Sequence, residues 1–307
     1  MLAKLDGEWA SYADFIHIVQ SDMRDFEPVD KADMIISELL GSFGCNELSP
    51  ECLDGAQRLL KLGGISVPYA YSNFLQPVMA RSLHDDVATY APKHKNMLNE
   101  FILVEMRSFV EIAPYQEAFR FTHPNYGNQS VKFFIKQSIE CVYCSIFFSP
   151  SFSDYSGTVK FVIDYVVLIL KTVYRQAHEY RRGRNRIRPN LFISFTDAHS
   201  NERDVTLRFK ADIDYVMTGF AGYFELHLYK DVSMNILPDK QTLGLSSWFP
   251  AFFALERPVP VTKDQEIVLH MGRRCDTVGK RVWYVWNLLE PQALPVQNAL
   301  PDNWISM

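Results

Sequence analysis

Short apolar segments that end near an acidic residue are the first pattern along the chain. Phe15–Val19 is followed by Asp22, and Ala32–Ile36 is followed by Glu38. Apolar runs of this length are typical of buried strands. Acidic residues at the ends of such strands lie where open α/β sheets bind ligands. We therefore predict two strands, each of which brings a carboxylate to the edge of a sheet.

A helix is predicted after the second strand. Ser49 is the expected N-cap, Pro50 suits the first helical position, and Gly63-Gly64 is expected to end the helix. Its apolar face consists of Leu53, Ala56, Leu59 and Leu60. Ile65–Pro68 is predicted as the next strand. The order strand, helix, strand indicates an α/β fold for this first region.

The period of the pattern changes to two in the last third of the chain. In Val205–Ile213, apolar side chains alternate with Thr, Arg, Lys and Asp. Further strands are predicted at Phe224–Ile236, Ile267–Met271 and Val282–Trp286, with turn-forming residues between them. This region is therefore predicted to be a mostly antiparallel β unit, either a barrel or a sandwich.

Composition narrows the class of protein. The 307 residues are 48% hydrophobic and 22% charged, which is typical of an ordinary globular protein. The net charge of −5 argues against a dedicated nucleic-acid binder. The five cysteines are odd in number and scattered, and the first residues have no apolar signal core. We therefore expect a reducing compartment, the cytoplasm or the nucleus.

The segment from about 130 to 199 fits neither pattern. Its apolar stretch Val159–Tyr174 contains three charged residues and is too short for a membrane helix, so no membrane association is expected. Cys141 and Cys144 have metal-like spacing but no second pair, so no metal site is predicted. The basic run Arg181–Arg188 can bind nucleic acid or a nuclear importer, although solvated basic loops are more common.

The most specific chemistry lies between Glu38 and Glu47. These glutamates flank a loop with Gly41 and Gly44, which permit a tight reversal of the chain. Such a hairpin can direct both carboxylates at a guanidinium, whose planar fork of N–H groups matches paired carboxylates. A guanidinium held in this way keeps one terminal nitrogen free as a nucleophile. Glutamates across a loop are usually solvated surface charges, and spacing alone favours that interpretation over a paired site.

Several segments resemble the protein arginine methyltransferases. Ser37–Phe43 and Asn46–Pro50 are similar to the paired-glutamate hairpin of that family, in the branch that forms symmetric dimethylarginine (type II). Ser246–Pro250 resembles the segment that closes the substrate pocket in the same branch. The resemblance covers most of residues 8–127 and 201–300, and the motifs occur in the family's order.

The resemblance implies the roles of particular residues. Glu38 and Glu47 would be the catalytic pair that grips the arginine, and Asp22 and Met23 would hold the adenine of S-adenosylmethionine. Without the resemblance, Asp22 is better explained as a turn or cap residue than as a ligand of the cofactor.

The resemblance also implies a lid over the substrate. Ser247, Trp248 and Phe249 would close the pocket, with the indole face against the guanidinium as a cation–π contact. A lone Trp in a β unit is otherwise expected to pack in the core.

The same resemblance implies the architecture and the partners. Residues 1–67 would be part of a Rossmann-like methyltransferase domain, and residues 68–307 a β-barrel domain for substrate binding and dimerisation, with the atypical insert at about 130–199. The implied substrates are histone tails and Gly/Arg-rich RNA-binding proteins. A homo-oligomer is expected, because the family associates through its β domain.

The sequence departs from the family in two places. The glycine-rich cofactor loop and the N-terminal barrel that docks a WD-repeat partner are missing, since only Gly7 precedes Asp22. We therefore expect weak activity or none from the chain alone, and the alternative is a non-catalytic arginine-binding or dimerisation module. We interpret the insert as a retained intron or gene-model error, which sequencing of the transcript tests.

Overall fold

The computed structural model describes residues 19, 21, 25–90, 97–125, 201–245, 247–276, 281–299 and 304–306. The chain packs as two compact units. The first unit comprises Met1–Glu38, Arg58–Ser66 and Tyr126–His199, and the second unit comprises Leu39–Gln57, Val67–Asn125 and Ser200–Met307. The predicted domain boundary at residue 67 divides the chain differently and stays a prediction.

A two-stranded sheet forms the described part of the first unit. Its strands are β1 (Ala32–Ile36) and β2 (Leu60–Val67). Ile35 and Ile36 are buried, which confirms the apolar strand predicted here. Beside them, the Lys61 ammonium donates to both Asp33 carboxylate oxygens at 2.9 and 3.0 Å and so joins the two strands through their side chains.

The predicted helix is shorter than its apolar pattern suggested. Helix α1 (Ser49–Ala56) is followed by a 3-10 turn (Gln57–Leu59) and then directly by β2. The residue before the helix, Leu48, has a left-handed backbone with φ of 61°, and no side chain caps the helix. Ser49 is therefore the first helical residue, and Gly63-Gly64 lies inside β2. The predicted N-cap was therefore wrong by one residue, and the predicted C-terminal end was wrong because the chain from Leu60 onward pairs with β1 instead of continuing the helix.

The larger sheet of the second unit is antiparallel and has seven strands. Its central strands are β3 (Ala70–Met79), β8 (Tyr215–Tyr229) and β10 (Ala251–Val261). At its edges lie β4 (Phe101–Leu103), β5 (Val110–Glu111), β6 (Gln116–Thr122) and β9 (Val232–Asn235). Helix α2 (Arg81–Tyr90) follows β3, and its buried His84 ring bonds to the Leu255 carbonyl at 2.9 Å.

A second antiparallel sheet completes the unit. Its strand order is β13 (Ile305–Ser306), β12 (Arg281–Glu290), β11 (Glu266–Cys275) and β7 (Arg203–Lys210). Buried Leu207 and Phe209 alternate with exposed Arg208 and Lys210 in β7, so the predicted period of two is confirmed. The antiparallel β unit expected from the sequence is therefore present.

An aromatic core joins the two sheets of the second unit. The Phe253 ring of β10 lies 5.4 Å from the Trp286 ring and 5.9 Å from the Tyr284 ring, both on β12. Phe43 enters the same cluster, 5.1 Å from Phe253 and 5.5 Å from Tyr284. A Cβ on Gly222 would approach the Phe43 ring to 2.7 Å, so this position of β8 requires glycine. The core therefore fixes the loop that carries Phe43.

Several predicted features fall outside the described residues. They are the strand at 15–18, the cysteine pair at 141 and 144, the apolar stretch at 159–174 and the basic run at 181–188. Within the described part of the chain, no helix is long and apolar enough to cross a bilayer, and no three His, Cys, Asp or Glu side chains form a metal-binding group.

Candidate substrate-binding site

The predicted tight reversal is present, and we call residues 39–48 the glycine hairpin. Gly41 and Gly44 form an isolated β-bridge in which the Gly44 N–H donates to the Gly41 carbonyl at 2.7 Å. Gly44 has φ of +66°, and a Cβ on Gly41 would lie 2.3 Å from the Asn46 amide. The Asn46 side chain in turn accepts the Phe43 N–H at 2.7 Å. Both glycines are therefore required by the geometry of the hairpin.

A buried ion pair supports the hairpin from below. The Arg273 guanidinium is fully buried and donates to both oxygens of Glu51, at 2.7 and 2.8 Å. It also donates to the carbonyls of Cys45, at 3.2 Å, and Asn201, at 3.0 Å. Fork-to-fork pairs of this kind fix orientation as well as charge. The base of the hairpin is therefore held by an arginine whose two terminal nitrogens both donate hydrogen bonds.

The Cys45 side chain is part of the same buried network. Its sulfur lies 3.0 Å from the Tyr284 hydroxyl, and the Asn73 amide donates to it at 3.4 Å. The Asn73 amide also donates to the Phe43 carbonyl. Burial raises the pKa of the Cys45 thiol, so the thiol stays neutral and acts as a structural group.

Glu47, unlike the residues of this network, has no ion-pair partner among the described residues. It is half-buried at the end of the hairpin and lines a cavity of about 600 Å³ within the second unit. Burial raises the pKa of its carboxyl group. No described Lys, Arg or His side chain forms an ion pair with it. A carboxylate in this state gains from an incoming cation, which would restore its normal ionisation.

Glu38 is the last residue of the N-terminal segment of the first unit and lies two residues after the end of β1. It is half-buried. Glu47 belongs to the second unit, so the two glutamates are each described within their own unit. The predicted pairing of the two carboxylates stays a prediction.

Trp248 lies against the glycine hairpin. Its indole N–H donates to the Leu40 carbonyl at 2.8 Å, and its ring meets the Phe224 ring edge-on at 5.8 Å. Ser247 and Phe249 on either side are exposed. The structure thus brings together the hairpin and the segment predicted to close the pocket. Asp22 and Met23, predicted to bind the adenine, lie outside the described residues.

A polar cluster beside α1 was not predicted. The Asp54 carboxylate accepts the amides of Asn201, at 2.8 Å, and Asn125, at 3.4 Å. Its second oxygen lies 3.7 Å from Nδ1 of buried His123. Burial raises the pKa of Asp54 to about 6 and lowers that of His123 to about 3. The sequence signal for this cluster is only the polar run His-Pro-Asn after an apolar strand, which is too common to identify a site.

Two protein-family descriptions match consecutive parts of the chain. Residues 70–301 match the PRMT5 oligomerisation domain, which is more than half of the chain, and residues 1–67 match the PRMT5 arginine-N-methyltransferase. The chain belongs to the protein arginine methyltransferase 5 family.

Relatives from distant organisms agree with this assignment. The chain is 34% identical over 303 residues to protein arginine N-methyltransferase 5 of Oryza sativa subsp. indica, covering 97% of this chain and 34% of that protein. It is 30% identical over 294 residues to the Xenopus laevis protein of the same name, covering 95% and 35%. The chain therefore spans about a third of the length of the curated relatives it matches.

Solved structures share the fold. The Trypanosoma brucei PRMT1 enzyme-prozyme heterotetrameric complex with AdoHcy superposes with a TM-score of 0.51 at 14% identity, covering 89% of this chain and 70% of that chain. Arabidopsis thaliana protein arginine methyltransferase 10 gives a TM-score of 0.53 at 12% identity, covering 94% and 74%. These likenesses confirm the predicted fold class of the family, a Rossmann-like region followed by an antiparallel β domain.

Proposed function

We propose that this chain forms part of a type II protein arginine methyltransferase, which transfers a methyl group from S-adenosylmethionine to arginine and forms symmetric dimethylarginine. The observation that carries the proposal is Glu47, a half-buried carboxylate without a described ion-pair partner, at the end of a hairpin that is otherwise held rigidly. A guanidinium is the natural partner of such a group, because it stays charged when it leaves water.

Glu47 would bind the substrate guanidinium and orient it. The cation would lower the raised pKa of the carboxyl group, so that binding and ionisation favour each other. Charge drawn toward the bound N–H groups leaves the remaining terminal nitrogen more nucleophilic. Glu38 is proposed as the second carboxylate on the guanidinium. Rigid support of the hairpin by Arg273 keeps the geometry fixed during the reaction.

Trp248 would close the pocket over the bound arginine. Its hydrogen bond to the Leu40 carbonyl holds the indole ring beside the hairpin. An aromatic ring next to a guanidinium stabilises the cation and excludes water. Ser247 and Phe249 are proposed to complete the lid, and their exposure in the free chain leaves them accessible to a peptide.

The residues at the end of β1 fit a polar ligand. The Ser37 hydroxyl is buried and has no hydrogen-bond partner among the described residues, and a buried hydroxyl is normally satisfied. S-adenosylmethionine would supply the methyl group when bound, and the proposed adenine ligands Asp22 and Met23 would hold it in the same unit.

Substrates and partners follow the same proposal. Histone tails and Gly/Arg-rich RNA-binding proteins, in the cytoplasm and the nucleus, would provide the arginines. The match to an oligomerisation domain supports self-association through the β unit. A WD-repeat partner is proposed only for a longer protein that carries the docking barrel.

Methyl transfer from labelled S-adenosylmethionine to a Gly/Arg-rich peptide tests the proposal. Any label that this chain transfers is expected to be weak and to appear in symmetric dimethylarginine, and it should fall by at least about a hundredfold in Glu47→Gln. Glu256→Gln, at an exposed position of β10, is the matched control and should keep full activity. Peptide binding that depends on Glu47 without any cofactor binding would indicate a non-catalytic arginine-binding module. Absence of both kinds of binding would contradict the proposal.

A further inference from the structure

Asp54 lies at one end of a chain of hydrogen bonds that leads to the glycine hairpin. Its Oδ2 atom accepts the Asn201 amide at 2.8 Å. The Asn201 carbonyl accepts an N–H of Arg273 at 3.0 Å, and the same guanidinium donates to the Cys45 carbonyl at 3.2 Å. Cys45 lies two residues before Glu47, and all of these residues belong to the second unit. A change at Asp54 can therefore reach the hairpin through direct bonds.

The other oxygen of Asp54 faces a histidine ring that makes no hydrogen bond. The His123 side chain is 2% exposed, and neither of its ring nitrogens has a partner among the described residues. Asp54 Oδ1 also lacks a partner there and lies 3.7 Å from His123 Nδ1. Buried polar atoms are normally satisfied, and these two lie just beyond bonding distance of each other. A proton between them would give each atom its missing partner.

The surroundings of the Asp54 carboxyl group favour uptake of this proton. Burial is the main cause that raises its pKa to about 6, and Glu51 on the same helix adds to the rise. The amides of Asn201 and Asn125 and the guanidinium of Arg203, at the start of β7, act in the opposite direction. The rise prevails, so the carboxyl group gains its proton only slightly below neutral pH.

The His123 ring is suited to accept that proton. It packs against the Tyr71 ring of β3, with 5.6 Å between the ring centroids. Burial lowers the pKa of His123 to about 3 and raises that of Tyr71 well above its usual value, so both rings are neutral. A neutral imidazole has one nitrogen that accepts a hydrogen bond, and Nδ1 is the one that faces Asp54.

We propose that Asp54 is a positioning residue for the hairpin, and that a proton shared with His123 weakens its hold on Asn201 and so loosens the hairpin. The proposal rests on the proposed function, because the hairpin carries Glu47, the group that would bind the substrate arginine. A carboxylate accepts a hydrogen bond about twice as strongly as a neutral carboxyl group. Loss of the charge therefore loosens the segment that positions Arg273, and the chain would bind arginine less tightly in acid.

Hydrogen exchange of the hairpin tests this inference without any substrate. The Gly44 N–H donates to the Gly41 carbonyl, so its exchange reports on the closed hairpin. Its protection factor, corrected for the intrinsic effect of pH on exchange, is measured in the full chain between pH 7 and pH 5. Glu47→Gln is the common background, because the raised pKa of Glu47 would otherwise add a second titration. Amides of the central strand β8 show whether a change is local.

We expect the protection factor of Gly44 to fall about fivefold between pH 7 and pH 5, with no matching fall in β8. Asp54→Asn keeps the shape of the side chain without its charge, so it should show the lower protection already at pH 7 and little further change. In His123→Gln the fall should persist but move to lower pH, since an amide is a weaker base than imidazole. Asp231→Asn, in the exposed turn between β8 and β9, is the matched control and should keep the original profile.

Peptide binding then connects the hairpin to arginine. In chains that retain Glu47, fluorescence anisotropy at pH 7 gives the Kd of a labelled Gly/Arg-rich peptide. Asp54→Asn should weaken binding about fivefold, and Asp231→Asn should leave it unchanged. If Asp54→Asn changes only the protection of Gly44 or only the Kd, or neither, while Glu47→Gln abolishes binding, the inference is wrong and the proposed function stands. If Glu47→Gln leaves the Kd unchanged, the proposed function fails and the inference falls with it.

Discussion

Glu47 and Glu51 are four residues apart in the sequence and have opposite environments. The Glu51 side chain is 6% exposed and is bound through both oxygens by Arg273, which is itself fully buried. Glu47 is less buried, yet has no described ion-pair partner, and burial raises its pKa. Glu51 therefore belongs to the structure that supports the hairpin, and Glu47 is the carboxylate that this structure keeps available for a ligand.

The contrast shows how a binding group can be kept available inside a folded chain. A charged group without a partner costs stability, so the surrounding structure has to be stable without it. Here the stability comes from the buried pair at the base and from the aromatic core that fixes Phe43. The unsatisfied carboxylate then marks the site at which a ligand gains most.

The largest effect is expected at the base of the hairpin. Arg273→Leu leaves the Glu51 carboxylate buried without a partner, which should lower the free energy of unfolding by about 3–5 kcal/mol in urea denaturation. The double variant Arg273→Leu/Glu51→Leu should recover much of this loss, because no charge remains buried. Arg208→Leu, which breaks an exposed pair with Glu266, is the control and should cost at most about 1 kcal/mol. If Arg273→Leu and Arg208→Leu lowered the free energy of unfolding equally, the buried pair at the hairpin would be no more important than an exposed pair.

A smaller effect is expected within the hairpin itself. Gly44 in the hairpin has φ of +66°, and Gly63 in β2, which serves as the comparison, has φ of +76°. A Cβ at Gly44 would lie 3.0 Å from the Asn73 amide nitrogen, whereas nothing lies within 4 Å of one at Gly63. Gly63→Ala should therefore cost about 1 kcal/mol from backbone strain alone, and Gly44→Ala about 2 kcal/mol. Similar unfolding curves for the two variants would show that the hairpin is less tightly packed than described.

The Asp54–His123 pair should shape the pH dependence of stability. The pKa of Asp54 rises from 3.8 to about 6 on folding, so its contribution favours low pH and is lost as pH rises. The pKa of His123 falls from 6.5 to about 3, so its contribution favours high pH and is lost as pH falls. Between pH 4 and 6, folding takes up about one proton at Asp54 and releases about one at His123. The two effects on the free energy of unfolding therefore nearly cancel.

Variants of this pair separate the two effects. Asp54→Asn should leave the His123 effect alone, and the free energy of unfolding should then fall by about 1 kcal/mol for each unit of pH lowered from 6 to 4. His123→Gln should give the opposite slope. Urea denaturation across this range measures both. The same slope in the two variants would contradict the assigned protonation states.

The smallest effect on stability is expected at Glu47. Its raised pKa means that the ionised carboxylate destabilises the fold above the pKa of the unfolded chain, and the destabilisation disappears at lower pH. Glu47→Gln should therefore give a small rise in Tm at pH 7 and none at pH 4. A fall in Tm at pH 7 would mean that Glu47 has a stabilising partner, and the contrast with Glu51 would no longer hold.

The sequence predicted the elements whose side chains alternate between core and solvent. Strand β7 was found because Leu207 and Phe209 alternate with charged residues. Strand β3 was missed, since buried Ser72, Asn73 and Gln76 interrupt its apolar pattern although they are hydrogen-bonded inside the fold. Local patterns do not reveal which polar residues find partners in distant strands.

The candidate site was predicted in part for a similar reason. The glycines of the hairpin follow from local geometry, and the role of Trp248 was implied by the family resemblance. The Arg273–Glu51 pair joins residues that are 222 positions apart. A single sequence does not indicate which of many arginines meets a given glutamate, so the base of the hairpin required the structure.

The hydrogen bonds of Asp54 bring together the two ends of the long segment between Asn125 and Asn201. Asn125 and Asn201 both bind this one carboxylate, so the two ends of the stretch 126–200 are held side by side. Because the entropy of closing a loop grows only with the logarithm of its length, replacing that stretch by a connection of about eight residues would change the closure cost by only about 2 kcal/mol. The second unit is therefore expected to accept very different lengths of chain at this point, in this protein and in engineered versions of it.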